Sequence, residues 1–361
     1  MTEQLARLKQ WKREGKDVAF ATVVRVQGSA PRPEGSRLLV SSAEELDGSV
    51  SGGCVENDVA LHALQVLKSD EARLVTYGIA DEDAFEVGLA CGGTIQVYIE
   101  PAEADEITAA VEQLVSGGRL GASLMAVSGG NWKAVVDARK GVVAGSIPAA
   151  LADDVLADTT RLMADEQSRT LSYGDVDVFI DVFAPPPKLL IFGAGPFAEP
   201  LCKLGSQVGY EVTLIDPRPA FAREELFPDA HEVIVAWPEK VLDTPAWDGS
   251  FVVVLNHNQR LEDPVIRRAL SEPIAYLGVM GSRRTHADRL ARLRADGWSA
   301  QDQERIHGPI GLDIGAETPA EVAVSILAEM TTVRYGSGAG ESLKGTLGRI
   351  HPQRKDGSGD V

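Results

Sequence analysis

Two cysteines with glycine neighbours are the residues best suited to chemistry. Cys54 follows Gly52-Gly53, and Cys91 precedes Gly92-Gly93. Glycines leave a thiol without side-chain cover and expose backbone N–H groups, which favours the thiolate and can bind anions. Cys54 also comes just before a predicted helix, whose N-terminal partial positive charge stabilises a thiolate. The pattern predicts a reactive thiol, with Glu56 either as its proton acceptor or as a cap of that helix.

Other interpretations of these cysteines stay open. A zinc site needs four ligands, and no CxxC or HxxxH pattern accompanies them. A nucleophile of the papain type needs a histidine, and the six histidines show no diagnostic spacing. The odd count of three cysteines disfavours a disulfide. Both residues can also be no more than small side chains in tight turns, and Cys202 is expected to be a buried hydrophobe.

A glycine turn between a buried strand and a helix carries the second chemical signal. Gly193 and Gly195 stand in a GxGxxA pattern, and Asp216 ends the next predicted strand. Such a turn lets a phosphate approach the backbone, and an acidic residue at that distance can accept hydrogen bonds from a ribose. Arg218 could instead meet a 2′-phosphate. The same turn also serves as a plain packing solution, so a bound dinucleotide is one of two interpretations.

Farther along the chain, Gly281-Ser282-Arg283-Arg284 lies between the end of a predicted strand and the start of a helix. Ligands collect at this edge of an open α/β sheet, and guanidinium groups there suit an anionic ligand. Solvated surface arginines are the alternative. An NAD(P)-dependent oxidoreductase built on Gly193, Gly195 and Asp216 is a second functional hypothesis, although no Tyr-x-x-x-Lys pattern supports hydride transfer.

The elements that position these residues predict an α/β protein of two domains. Residues 1–183 form an N-terminal α/β domain with a mixed sheet, and its middle segment, 101–183, completes that sheet. Three prolines make 184–187 a stiff linker. Strand–helix alternation over 188–335 predicts a Rossmann-like, doubly wound parallel sheet, and 336–361 is expected to be a flexible tail. No internal repeat of 20–50 residues is apparent.

Composition narrows the function classes. The 361 residues are 44% hydrophobic and 24% charged, which is typical of a globular protein. A formal net charge of −18 repels phosphate backbones and argues against a nucleic-acid binder. No apolar stretch is long enough to cross a membrane, and the first residues do not resemble a secretory signal. We therefore expect a cytoplasmic protein that binds neither nucleic acid nor membrane.

Several separate motifs, in order, resemble one family. Three motifs resemble the amino-terminal domain of that family: Gly28-Ser-Ala-Pro-Arg32, Ser51-Gly-Gly-Cys-Val-Glu56 and Ala90-Cys-Gly-Gly93. Four later segments resemble its Rossmann-like domain: Leu190–Gly195, Asp216–Arg218, Tyr276–Arg284 and Pro309–Gly315. The chain thus resembles the XdhC/CoxI family over about residues 10–335.

The resemblance implies a maturation factor for molybdenum hydroxylases. Such a protein binds the molybdenum cofactor (molybdopterin), holds it while a cysteine desulfurase supplies the sulfido ligand, and inserts it into an apoenzyme of the xanthine dehydrogenase type. A homodimer is also implied. The chain has no cysteine set for iron–sulfur clusters and cannot itself be a complete xanthine dehydrogenase. A purely structural interaction domain is the remaining alternative.

If the molybdenum cofactor is the ligand, as the resemblance implies, an expected role follows for each site residue. Cys54, Cys91 and Glu56 are expected to form a thiol relay, and either thiol is a soft contact for molybdenum rather than part of a dedicated metal site. The thiols are expected to share a cavity with Arg32 or Arg37 and with the Rossmann turn, which holds the phosphate or a nucleotide, NAD(P) included. The expected cofactor-binding positions are Arg32, Arg37, Gly52, Gly53, Gly92, Gly93, Gly193, Gly195, Asp216, Arg218, Ser282 and Arg283.

Overall fold

A computed structural model describes residues 2–78, 92–103, 105–243, 247–336 and 340–345. The chain divides into two compact units, Met1–Pro185 and Pro186–Val361. The division falls within the run of three prolines. Cys91 lies outside the described residues, as does most of the segment 336–361.

The N-terminal unit begins with helix α1 (Thr2–Arg13) and a five-stranded antiparallel sheet. Its strands are β1 (Val18–Gln27), β2 (Arg37–Ser41), β3 (Leu46–Gly48), β4 (Arg73–Tyr77) and β5 (Thr94–Pro101), in the order β3-β2-β1-β5-β4, and helix α2 (Glu56–Ser69) connects β3 to β4. Alternate residues of β1, such as Ala19 and Ala21, pack with Val59 and Ala63 of α2. The period-2 alternation of the strand thus meets the 3.6-residue period of the helix.

The second half of this unit repeats that arrangement. Helix α3 (Glu106–Ser116) precedes β6 (Gly121–Ser128), β7 (Lys133–Asp137) and β8 (Gly141–Gly145), and helix α4 (Ala152–Ala164) leads to β9 (Arg169–Tyr173) and β10 (Val176–Phe183). The strand order is β8-β7-β6-β10-β9, the same as in the first sheet. The unit is therefore two copies of one α-β-β-β-α-β-β motif.

The expectation of one mixed sheet over residues 1–183 is corrected by this architecture. All strand pairs described in this unit are antiparallel, and the middle segment forms a second sheet instead of completing the first. Short connections such as the Gly174 turn (φ 63°) reverse the chain and impose antiparallel pairing. Val24 of the first sheet packs against Met125 and Phe179 of the second, so the two sheets face each other.

The C-terminal unit is a six-stranded parallel sheet, which confirms the Rossmann-like prediction. Its strands are β11 (Lys188–Phe192), β12 (Glu211–Ile215), β13 (Glu232–Ile234), β14 (Phe251–Val254), β15 (Tyr276–Val279) and β16 (Ile306–His307), in the order β13-β12-β11-β14-β15-β16. The helices are α5 (Ala198–Gln207), α6 (Gln259–Ser271), α7 (Arg283–Ala295), α8 (Ala300–Glu304) and α9 (Pro319–Tyr335). Apolar cores cover both faces of the sheet, as the doubly wound pattern requires.

The strand order of this unit reverses between β11 and β14. Open α/β sheets bind ligands at such a reversal, outside the carboxyl ends of the strands. Three of the predicted binding segments, at Gly193, Asp216 and Ser282, follow the carboxyl ends of β11, β12 and β15. Among the described residues, no helix is long and apolar enough to cross a membrane.

Candidate functional site

In the N-terminal unit, three sequence motifs meet at one end of the first sheet. A Cβ atom built on Gly93 would lie 2.1 Å from the carbonyl oxygen of Ser29, so these two loops are in backbone contact. A Cβ atom on Gly52 would lie 3.9 Å from Cβ of Pro31. The loops that start at Gly28, Ser49 and Gly92 therefore form one cluster, here called the glycine-loop cluster.

The carboxylate of Glu56 is the centre of this cluster. It accepts hydrogen bonds from the hydroxyls of Ser49 (2.6 Å) and Ser51, and from the backbone amides of Ser51 (2.8 Å) and Gly53 (2.8 Å). Weaker contacts come from the amides of Val50 and Val55 at 3.2 and 3.3 Å. The loop that carries Cys54 is thus wrapped around a single carboxylate.

These bonds decide what Glu56 can do chemically. Burial alone would raise the pKa of Glu56, but the hydrogen bonds from Ser49 and Ser51 outweigh it and lower that pKa to about 2. A carboxylate with so low a pKa is a weak proton acceptor at neutral pH. The geometry therefore favours a structural role for Glu56 over the proton-accepting role considered from the sequence.

The amides of the glycine pair before Cys54 are also engaged. Gly52 donates to the Ser49 hydroxyl at 2.8 Å, and Gly53 donates to Glu56. Positive φ angles of 74° and 112° explain why glycine stands at both positions. In this conformation the pair forms the loop and does not leave its two N–H groups free for a phosphate.

The described cysteines differ sharply in environment. Cys54 is exposed and lies two residues before the start of α2, next to the N-cap residue Val55. Cys202 is buried in α5, and burial raises the pKa of its thiol to about 12, as expected of an inert core residue. Gly92 and Gly93 place the chain that follows Cys91 inside the glycine-loop cluster, while Cys91 itself lies outside the described residues.

The two predicted arginines of this unit have different surroundings. Arg32 is exposed in the loop that contacts Gly93 and Gly52. Arg37 forms an ion pair with Asp181 of β10, and both side chains are largely buried. Arg37 thereby joins the first sheet to the second, and Arg32 is the arginine whose position suits an anionic ligand at the cluster.

In the C-terminal unit, Asp216 holds the glycine turn from inside. Its side chain is fully buried and accepts the amide of Ala194 at 2.8 Å. Arg218 donates its Nε and a terminal nitrogen at 2.8 and 2.7 Å, and its own amide at 2.9 Å. Burial would raise the pKa of Asp216, but Arg218 and the Ala194 amide lower it overall. A ribose could reach this carboxylate only by displacing these partners.

The glycines of this turn are needed for close packing. Gly193 has φ 118°, and a Cβ atom there would lie 2.9 Å from the side-chain nitrogen of Asn256. Gly195 has open space at the same position. The turn is thus closed on the Asn256 side and open where a ligand would approach Gly195.

The segment after β15 presents a capped helix and exposed cations. The Ser282 hydroxyl accepts the amide of Thr285 at 3.1 Å and caps α7. Arg283 and Arg284 are exposed and form no ion pair within the described ranges. Behind them, the fully buried Arg289 pairs with Glu262 at 3.1 Å and donates to the Met280 carbonyl. This buried pair carried no signal in the sequence, where its partners are 27 residues apart.

Two arginine–aromatic pairs at the carboxyl edge were also missed. The Arg218 guanidinium lies 4.2 Å from the ring centroid of Phe221, and that of Arg260 lies 4.5 Å from the ring of Trp237. No spacing rule links Trp237 to Arg260, which belongs to another element. In the part of the chain that the structure describes, no group of three metal-ligating side chains comes together.

Comparison with known families gives a consistent result for both units. The model of the XdhC and CoxI family matches residues 11–78, and that of the XdhC Rossmann domain matches residues 189–330. The chain belongs to the XdhC and CoxI family. The predicted resemblance is confirmed, and the matched ranges include Cys54, Glu56, the glycine turn and the segment after β15.

Two family relatives are similar over most of their length. A Bacillus subtilis protein named as a probable subunit of xanthine dehydrogenase is 29% identical over 88% of this chain and 93% of its own length. The molybdenum cofactor insertion chaperone PaoD of Escherichia coli is 28% identical over 89% and 84%. A crystal structure described as a xanthine dehydrogenase from Bacillus halodurans has the same fold, with a TM-score of 0.74, 24% identity, and coverage of 94% of this chain and 98% of that one.

Proposed function

We propose that this protein binds the molybdenum cofactor and inserts it into an apoenzyme of the xanthine dehydrogenase type. Its similarity to an insertion chaperone, over most of both chains, is the observation that carries the proposal. The relative named after a dehydrogenase fits the same role, because an accessory protein can take the name of the enzyme that it serves. The cofactor is here the cargo of the protein.

The glycine-loop cluster suits the molybdenum end of this cargo. Cys54 is an exposed thiol on a loop that Glu56 holds by several hydrogen bonds. A thiolate is a soft ligand of the kind that molybdenum accepts, and Arg32 supplies a nearby positive charge. We propose that Cys54, with Cys91, protects this end while a cysteine desulfurase provides the sulfido ligand.

The Rossmann-like unit suits the phosphate or nucleotide end. Gly195 has open space before α5, and Arg283 is an exposed cation after β15. Arg218, which is held by its ion pair with Asp216, adds another guanidinium group at the same carboxyl edge of the sheet. We propose that the protein acts as a homodimer in the cytoplasm. The commitment of Asp216 to Arg218 and Ala194 gives no support to an NAD(P)-dependent oxidoreductase.

Cofactor retention and delivery test this function. The protein is purified from a host that makes molybdopterin, and bound molybdenum and oxidised pterin are quantified by mass spectrometry and fluorescence. The loaded protein is then mixed with an apo molybdenum hydroxylase, and the appearance of hydroxylase activity is followed. Wild type is expected to carry both components and to restore activity, and absence of molybdenum and pterin would refute a cargo role.

Variants separate the thiols from the rest of the protein. Cys54→Ser/Cys91→Ser is expected to lose most delivery, whereas Cys202→Ala, which alters only the buried thiol, is the matched control. If the double variant retains and delivers the cofactor as well as wild type does, the thiols have no part in the mechanism and the chaperone proposal stands without them.

A further inference from the structure

The carboxyl edge of the Rossmann-like sheet carries two exposed aromatic rings beside arginines. Phe221 is 48% exposed and Trp237 is 39% exposed, whereas most of the surface of a large aromatic side chain is usually buried. They follow neighbouring strands, since β12 pairs with β13 up to Ile215 and Ile234. Val235, directly after β13, is 50% exposed.

Each ring is held next to a cation. Arg218 is fixed by two side-chain bonds to Asp216, and the turn from Arg218 to Ala222 is closed by amide bonds to the Arg218 carbonyl. That turn brings Phe221 under the guanidinium. Trp237 follows β13 and meets Arg260, in the first turn of α6. Both pairs are therefore formed before a ligand arrives, and each leaves ring surface open to solvent.

The hydrogen bonds between Arg218 and Asp216 also occupy the carboxylate that would ordinarily bind a ribose. In a dinucleotide site, the acidic residue at the end of the second strand accepts hydrogen bonds from the ribose hydroxyls. Here that residue is Asp216, which is fully buried and bonded to Arg218 and Ala194. A ligand at this edge would meet the outward face of Arg218 and not the carboxylate.

We infer that Phe221, Trp237, Arg218 and Arg260 form a stacking site for a planar heteroaromatic ring that carries a phosphate. The aromatic and guanidinium planes stack on such a ring, and the positive charges attract the phosphate. A nucleoside monophosphate and a pterin phosphate share this chemistry. The inference deepens the proposed function and rests on it only for the identity of the natural ligand.

Binding to the full-length protein, measured by isothermal titration calorimetry, tests the site. The probes are CMP, AMP, dCMP, a pterin monophosphate and ribose 5-phosphate. At least one ring-bearing phosphate is expected to bind, and ribose 5-phosphate is not. CMP and dCMP are expected to agree within about twofold, because the site does not read the ribose. Equal binding of ribose 5-phosphate, or no binding by any ring-bearing probe, would overturn the inference.

Variants at the rings give the second arm. Phe221→Ala and Trp237→Ala are each expected to weaken the Kd by at least about fivefold, the low end of the effect of losing one stacking partner. Phe221→Tyr keeps an aromatic plane and is expected to restore binding. Tyr335→Ala is the matched control, because Tyr335 is also a half-exposed aromatic beside an arginine, Arg334, which lies 5.7 Å from the Tyr210 ring at the opposite edge of the sheet.

The outcomes also distinguish this site from the proposed function. Unchanged binding in Phe221→Ala and Trp237→Ala, with folding verified by thermal denaturation, would refute the stacking site. Delivery of cofactor by those variants would then show that insertion proceeds without it. Conversely, nucleotide binding that depends on both rings, in a protein that carries no pterin, would preserve the stacking site and refute the chaperone role. Stronger binding of the pterin phosphate than of CMP or AMP would identify the pterin end as its occupant.

Discussion

The backbone amide of Gly53 donates to the Glu56 carboxylate at 2.8 Å, so the chain closes on itself across Cys54. Cys54 is therefore carried on a short loop that is fixed on both sides. Ser51 completes the closure, since its hydroxyl donates to Glu56 and also accepts the amide of Val55. A thiol held in this way keeps its position without being covered by neighbouring side chains.

Loss of the charge on Glu56 should weaken the fold measurably. In Glu56→Gln, one acceptor oxygen is replaced by a donor that faces N–H groups, and hydrogen bonds to a charged acceptor are lost. Such bonds contribute about 1.5–3 kcal/mol each in buried sites, and because Glu56 is only half-buried we expect a loss of about 2 kcal/mol in all. Urea denaturation measures it. The exposed Glu71→Gln serves as the control and should change stability by less than about 0.5 kcal/mol.

The low pKa of Glu56 also predicts how stability depends on pH. Its folded pKa of about 2 lies below the ordinary value of 4.5, so its contribution is complete above about pH 4.5 and is lost as the pH falls toward 2. Wild type should therefore lose more stability than Glu56→Gln between pH 6 and pH 3, in matched urea titrations. Parallel losses in the two proteins would show that the carboxylate is not held as the structure indicates.

The fold was predictable where local patterns determine it. The two central strands of the parallel sheet contain continuous apolar runs, Leu189–Phe192 and Phe251–Val254, so the Rossmann-like unit could be recognised. The two-copy architecture of the N-terminal unit could not. Its halves share strand order but differ in loops: the β1–β2 connection, 28–36, is long, whereas its counterpart, 129–132, is short. Pairing over such distances leaves no periodic signal in a single sequence.

The site was predictable at the level of segments and less so at the level of atoms. Glycine pairs and strand ends indicated which loops would matter, and the structure brings Gly28, Gly52 and Gly93 together. Which partner a carboxylate takes depends on the folded chain. The sequence left Asp216 as either a ribose acceptor or part of a packing turn, and in the structure its carboxylate accepts hydrogen bonds from Arg218, two residues later, and from the Ala194 amide. The roles of the individual site residues stay predictions.

Breaking the Asp216–Arg218 pair should destabilise the Rossmann-like unit. In Arg218→Ala, the buried carboxylate of Asp216 loses the guanidinium and keeps the backbone amides of Ala194 and of residue 218 as hydrogen-bond donors. Removal of one partner of a fully buried pair costs about 3–5 kcal/mol, and because Arg218 is 44% exposed we expect about 1–2 kcal/mol. The double variant Asp216→Asn/Arg218→Ala should lose less than the sum of the single variants, as measured in a double-mutant cycle. Additive losses would contradict the coupling.

The two copies in the N-terminal unit make a paired prediction about tyrosines. Tyr77, at the end of β4, donates to Asp58 of α2 at 2.8 Å, and Tyr173, at the end of β9, donates to Asp158 of α4 at 2.9 Å. Burial, followed by the hydrogen bond to aspartate, raises the pKa of both hydroxyls above its ordinary value. The same bond thus ties the helix to its sheet in each copy, and only the first copy carries the glycine-loop cluster.

We therefore expect Tyr77→Phe and Tyr173→Phe to lower the free energy of unfolding by similar amounts, about 1 kcal/mol each, because each removes one hydrogen bond without changing ring packing. Tyr98→Phe is the control, since Tyr98 lies in the first sheet, on the strand that pairs with that of Tyr77, and no hydrogen bond of its hydroxyl occurs within the described residues. If the chemistry resides in the first copy, Tyr77→Phe should also change the rate of Cys54 alkylation by iodoacetamide, whereas Tyr173→Phe should leave that rate unchanged. Equal effects of the two variants on alkylation would contradict the coupling between the Tyr77–Asp58 bond and the loop that carries Cys54.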